Sequence, residues 1–250
     1  VTPARLDVLT RGLRIWQRPD GHKAASDDVV LAGLAALEQP TARRCLDLGT
    51  GKATVAMLLG VALPEATLLG VEAYPESFAL ALRNITENRL EARLSVRQGD
   101  LRDAAVLAGE APFDLITGAP PFMPVGSGPP PSDPQRAAGR FELRGGVEAY
   151  AATAARHLAP EGRFVVLMDG AGGARAAIAV RTAGLEVRRM VDVRPRPERA
   201  PTYQVLIAGH RARGGADAPV RETLCMRDAV GEGWSQAFAA LRARLDLPGT

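Results

Sequence analysis

From Arg43 onward the chain alternates short apolar runs with longer segments whose apolar residues recur at helical spacing. Repeated strand–helix units leave one main outcome, a largely parallel sheet covered by helices, because parallel strands need a crossover between them. Seven strands are predicted, over 43–48, 67–72, 93–98, 113–117, 163–168, 185–193 and 202–208. Helices are predicted between them over 52–62, 75–89, 146–158 and 172–183. Ahead of these, Asp27 and Asp28 can cap a helix over 29–38 that Pro40 ends, and a helix over 234–245 closes the chain. The fold class is α/β.

At 250 residues and 46% hydrophobic content, the chain suits a single domain over 1–250 with a packed core. No run approaches a membrane span, and the first residues lack the apolar centre of a secretory signal, so a cytoplasmic location is expected. Cys45 and Cys225 lie far apart in apolar surroundings, which suits reduced core thiols; His157 and His210 have no ligand or triad spacing, and no metal site is expected. Lys23 and Lys52 are the only lysines among 31 basic side chains, the rest being arginine, yet the net charge is only +3 and by itself shows no nucleic-acid binding.

One stretch interrupts the alternation. Residues 123–146 carry prolines and glycines that preclude regular structure through most of their length, and a loop this long is usually functional or mobile. Arg136, Arg140 and Arg144, with Phe141, make it a candidate substrate loop.

The strand over 43–48 runs into Gly49-Thr50-Gly51 and then a helix, so backbone approaches a ligand closely at the carboxyl edge of the sheet. Thr54 stands where a dinucleotide fingerprint needs its third glycine, and the G-x-x-x-x-G-K phosphate loop is missing as well. Acids mark the same edge: Asp47 at the end of the first strand, Glu72 at the end of the second, Asp100 after the third. A carboxylate ending the second strand can accept both ribose hydroxyls, and Asp47 beside the glycine turn favours a cationic group over a pyrophosphate. S-adenosylmethionine, with an ammonium, a sulfonium and a ribose but no phosphate, fits that set.

On these residues the chain resembles the class I S-adenosylmethionine-dependent methyltransferases. LDLGTGKATVAMLL is similar to their first motif, VEAYPESFALALRN to the second with its ribose acid and the adjoining Ala73, and RQGDLRD to the adenine-contacting third with Asp100 and Leu101. The resemblance spans 43–210 and implies a Rossmann-like, seven-stranded, mostly parallel sheet with helices on both faces and an antiparallel last strand.

TGAPPF, after the fourth strand, falls where amino-methylating members carry Asn, Asp or Ser followed by Pro-Pro and an aromatic residue. Pro120 and Pro121 fix the backbone and remove two donors, leaving nearby carbonyls free to accept from a target amine, and Phe122 can stack on a planar target. Ala119 departs from the motif, since a methyl group accepts no hydrogen bond. Further outward, LRIWQRPDGHKAASDDVVLAGLA, the loop after TGAPPF and the C-terminal LCMRDAVGEGWSQAFAALRARL resemble bacterial tRNA adenine-N6 methyltransferases acting at position 37 of a valine tRNA. That resemblance implies that residues 1–40 fold over the cofactor site, with His22 and Lys23 near its mouth.

Three acceptor readings stay open. The first is an adenine amino group in tRNA or other RNA, with Arg136, Arg140, Arg144, Arg194, Arg196 and Arg199 meeting phosphates. The second is a small metabolite or a protein side chain, motivated by Ala119 and the small net charge. The third is a catalytically impaired cofactor-binding homologue, again because of Ala119.

Overall fold

The computed structural model describes residues 2–211 and 218–248, so the ends of the expected 1–250 domain and residues 212–217 lie outside the described residues. In chain order the elements are β1 (Arg5–Val8), β2 (Arg14–Gln17), α1 (Ser26–Glu38), β3 (Arg44–Leu48), α2 (Thr54–Ala62), β4 (Thr67–Glu72), α3 (Pro75–Glu87), β5 (Leu94–Gln98), a 3-10 turn (Ala104–Leu107) and β6 (Phe113–Gly118). Then follow α4 (Pro134–Arg140), α5 (Val147–His157), β7 (Leu158–Asp169), α6 (Gly173–Thr182), β8 (Leu185–Arg194), β9 (Tyr203–His210), β10 (Val220–Cys225) and α7 (Gln236–Arg244).

Eight strands share one sheet in the order β10-β8-β9-β7-β6-β3-β4-β5. All seven predicted strands are in it, and β9, the last of them, is the antiparallel one, inserted between β7 and β8. The eighth, β10, returns parallel to β8 at the edge. Its sequence, VRETLC, buries only Leu224, so no alternation of apolar residues announced it.

Side chains alternate between two cores, as the period of a strand requires. Val165 and Leu167 of β7 and Val205 and Ile207 of β9 face the core shared with α1, α2 and α7. Phe164, Val166, Leu206 and Ala208 face the core shared with α5 and α6. Cys45 is buried, and both cysteines are free.

Two local expectations change. Asp27 and Asp28 lie inside the first turn of α1 rather than before it, and the Asp28 carboxylate accepts the Ala25 N–H at 2.9 Å, supplying the cap from within. The segment 123–146 contains a helix, α4: Asp133 accepts the Arg136 N–H at 2.9 Å and Pro134 occupies the first helical position. Seven residues are too few for a periodic signal, but Asp-Pro is a start signal that was there to be read.

Topology fixes where a ligand can enter. From β3 the chain moves outward through β4 to β5, then returns to the other side of β3 for β6, leaving a crevice at the carboxyl ends of β3 and β6. Residues Leu48, Glu72, Gln98 and Gly118 all end their strands there. The β1–β2 hairpin leans on α3, where Asn84 accepts the Trp16 N–H at 2.6 Å and Asn88 the Arg14 N–H at 2.8 Å. The chain leaving this hairpin therefore passes over the crevice.

Candidate active site

Gly49 and Gly51 adopt positive φ (65° and 58°), which lets the chain turn sharply from β3 into α2. A Cβ on Gly51 would meet nothing within 4 Å, so this turn borders open space. Glu72 holds the turn from the neighbouring strand: one oxygen accepts the Gly51 N–H at 2.8 Å, the other the Tyr74 N–H at 2.6 Å. Each oxygen keeps a lone pair for a ligand hydroxyl. Burial pushes the Glu72 carboxyl above its ordinary pKa, against the pull of these backbone donors.

Asp47 is 4% exposed, with both oxygens engaged: Thr50 Oγ1 donates at 2.6 Å and Thr117 Oγ1 at 2.7 Å. It ties the glycine turn to β6, and burial raises its pKa to about 6. Asp100 is the opposite case. Arg102 grips it through Nε at 2.9 Å and a terminal nitrogen at 2.6 Å, and this pairing lowers its pKa.

A cavity of ≈510 Å3 opens between these turns and the 134–145 segment, a size suited to a cofactor. Gly49, Gly51, Glu72, Ala73, Asp100, Leu101, Ala119, Pro121 and Arg144 line it. Asp47 and Thr50 instead face a small adjoining pocket, together with Pro120, Asp27 and Asp28. Burial beside Asp27 raises the pKa of Asp28 to about 7. A third, outer cavity is lined by Lys23, Phe122, Met123, Arg136 and Arg140. His22 and Gly139 border all three spaces, so this is where they meet. Gly139 permits it, since a Cβ there would stand 3.0 Å from the His22 ring.

The predicted residues thus sort into two groups. Glu72, Ala73, Asp100, Leu101 and the two glycines converge on one cavity, with Asp47 and Thr50 bracing the turn behind them. Lys23 is on the outer cavity rather than by the glycine turn. The lysine that reaches inward is Lys52, 5% exposed, whose Nζ donates to the His22 carbonyl at 3.0 Å and whose pKa burial lowers. Arg144 turns toward Glu72 and Asp100, away from Arg136 and Arg140. Arg194 and Arg196 donate to nearby backbone carbonyls, those of Arg199 at 2.9 Å and Asp228 at 2.8 Å. His210 Nε2 donates to the Leu158 carbonyl at 3.1 Å, a structural contact. Sequence reasoning missed Arg18, 3% exposed, which pairs with Glu76 at 2.9 Å and Asp133 at 2.5 Å and so fastens α4 over the cavity. It also missed Gln135 and Ser77, joined at 3.3 Å. Among the described residues no cluster of His, Cys, Asp and Glu is placed to hold a metal ion, and no helix is long and apolar enough to cross a membrane.

Residues 26–127 match the family model of the methyltransferase small domain. The tRNA1(Val) (adenine(37)-N6)-methyltransferase of Porphyromonas gingivalis is 30% identical over 210 residues, which cover 82% of this chain and 81% of that protein. The chain belongs to the S-adenosylmethionine-dependent methyltransferases. A release factor glutamine methyltransferase of Xylella fastidiosa is 31% identical over 204 residues, covering 76% of this methyltransferase and 69% of that one. A predicted O-methyltransferase of Agrobacterium tumefaciens has the same fold, with a TM-score of 0.65 at 21% identity over 90% of this chain and 99% of its own. The methyltransferase is therefore an enzyme of one-carbon transfer with S-adenosylmethionine as its cofactor.

Proposed function

We propose that the ≈510 Å3 cavity holds S-adenosylmethionine and that the outer cavity admits an adenine of tRNA or another RNA, whose amino group is methylated. The observation that carries this reading is the junction of the two cavities at His22 and Gly139, with Ala119 and Pro121 lining the inner one and Phe122 the outer. Residues 1–250 act in it as one catalytic domain, with 1–40 and 123–146 covering the cofactor and receiving the acceptor.

The cofactor supplies an electrophilic methyl group on a sulfonium. Everything else falls to the chain. Glu72 accepts the ribose hydroxyls, Gly49 and Gly51 let backbone approach, Ala73, Asp100 and Leu101 border the adenine, and Asp47 with Thr50 keeps the turn in place. Pro120 and Pro121 carry no N–H to compete for an acceptor, and the carbonyl of Ala119 or Gly118 would hold an N–H of the incoming amine. Phe122, partly buried between the two cores, offers its ring to an extruded base. Alignment of the nucleophile with the methyl carbon is the main catalytic demand of such a transfer. Arg136 and Arg140 meet backbone phosphates, and Lys23 adds charge at the same rim. RNA substrates imply work in the cytoplasm.

Supplying the purified enzyme with methyl-labelled S-adenosylmethionine and unmodified tRNA tests the reading. Label is expected in N6-methyladenosine after nuclease digestion. One competing acceptor is a protein side-chain amide, of the kind named for the release factor glutamine methyltransferases that the chain is also similar to. Label in added release factor and none in RNA would establish that reading instead.

A further inference from the structure

Tyr150 begins the second turn of α5 and is 6% exposed, yet it borders the ≈510 Å3 cavity. Its side chain packs against the glycines at the ends of β3 and β6: a Cβ on Gly118 would come within 2.7 Å of Cδ1, and one on Gly49 would collide with the hydroxyl. Phenylalanine would pack against the same glycines equally well, so the ring does not explain the oxygen. The hydroxyl makes no hydrogen bond to protein among the described residues and is open to the cavity rather than sealed in protein, whereas the hydroxyl of Tyr203 pairs with Ser26 at 3.2 Å. Burial first, then the carboxylates of Glu72, Asp47 and Asp100 in that order, push its pKa upward, so the proton stays on and the group remains a donor. Glu72, the acid placed for a ribose, lines the same cavity as Tyr150.

We propose that the Tyr150 hydroxyl is a cofactor-recognition group that donates a hydrogen bond to the nucleoside end of S-adenosylmethionine beside Glu72. This rests on the assignment of the ≈510 Å3 cavity to the cofactor. The hydroxyl then finds in the ligand the partner it lacks in the free enzyme, which makes it a device for sensing the bound cofactor rather than for holding the fold.

Calorimetry tests it on the full chain with two ligands, S-adenosylhomocysteine and 5′-methylthioadenosine, the second lacking the amino-acid end. Tyr150→Phe is expected to weaken both by about 10-fold, the net worth of one hydrogen bond, while the melting temperature of the free protein is unchanged. Equal affinities in wild type and Tyr150→Phe overturn the inference. Loss confined to S-adenosylhomocysteine overturns it too, moving the contact to the amino-acid end. A lower melting temperature in the free Tyr150→Phe protein would mean a structural role. Glu72→Ala, run alongside, separates the two levels: if it binds S-adenosylhomocysteine as wild type does, the cavity assignment itself fails, whatever Tyr150→Phe shows.

Discussion

The two halves of the sheet's carboxyl edge are built in different ways. On the cofactor side the acids bond within their own turns or to an adjacent strand: Asp47 to Thr50, Asp100 to Arg102, Glu72 to Tyr74 and to Gly51. On the acceptor side, α4 hangs from residues remote in sequence, Asp133 from Arg18 and Gln135 from Ser77, while Glu142 beyond it pairs with Arg175 at 2.6 Å. Bonding within turns and between neighbouring strand ends makes a rim that the sheet itself holds in place. Long-range bonding makes a cover that is in place only when several other elements are.

The largest effect expected from this contrast lies at Glu72. Glu72→Ala removes the carboxylate from two backbone donors and from the ribose, and charge-assisted bonds contribute about 1.5–3 kcal/mol each. S-adenosylhomocysteine should bind at least about 100-fold more weakly by calorimetry, with circular dichroism unchanged. A loss of only a few-fold would mean that the rim is not where the cofactor rests.

Asp47 tests whether the rim is braced independently of ligand. Its pKa is raised from 3.8 to about 6, so the stability it contributes is fully present below the unfolded value and is lost as pH rises through about 6. Two units correspond to roughly 3 kcal/mol at most. In Asp47→Asn, that part of the decline in melting temperature between pH 4 and pH 7 should disappear, leaving the shallower decline from other raised groups such as Asp28. An unaltered pH profile would show that Asp47 is not the buried titrating group.

This contrast also explains what could be read from the chain. The rim was legible because each acid ends a strand, and strand ends share an edge in any parallel sheet; Asp47, Glu72 and Asp100 needed no knowledge of packing. Arg18 was not legible, since nothing in Gln17-Arg18-Pro19 says that a guanidinium will be buried against residues 58 and 115 positions away. Tyr150 sits in an ordinary amphipathic helix, where one aromatic residue reads as core. Lys23 and Lys52 were confusable because only the fold decides which of them points inward. Strand β10, polar on most of its length, is held by backbone pairing that leaves no pattern in side chains.

Arg18→Met addresses the cover. It removes a buried cation from three carboxylates that are themselves partly exposed, at a cost of about 2 kcal/mol, below the range for fully buried pairs. The segment 123–146 should then be cut faster by a protease, and tRNA methylation should fall more than S-adenosylhomocysteine affinity does. Equal losses of both would mean that cover and rim are one cooperative unit.

The smallest effects belong to Arg136 and Arg140, four residues apart on α4 and both facing the outer cavity. If they meet phosphates, each change to alanine removes one contact whose favourable free energy comes from counterion release, about 5-fold in tRNA affinity near physiological salt, and lowers the slope of log affinity against log salt by about 1. Arg144→Ala differs in kind, because Arg144 turns toward Glu72 and Asp100. Its salt slope for tRNA should match wild type while its affinity for S-adenosylhomocysteine changes. Three identical salt slopes, measured by filter binding, would erase the boundary between the two cavities; two shallow slopes and one unchanged would draw it between residues 140 and 144, at the point where the chain leaves α4 and turns back toward the rim.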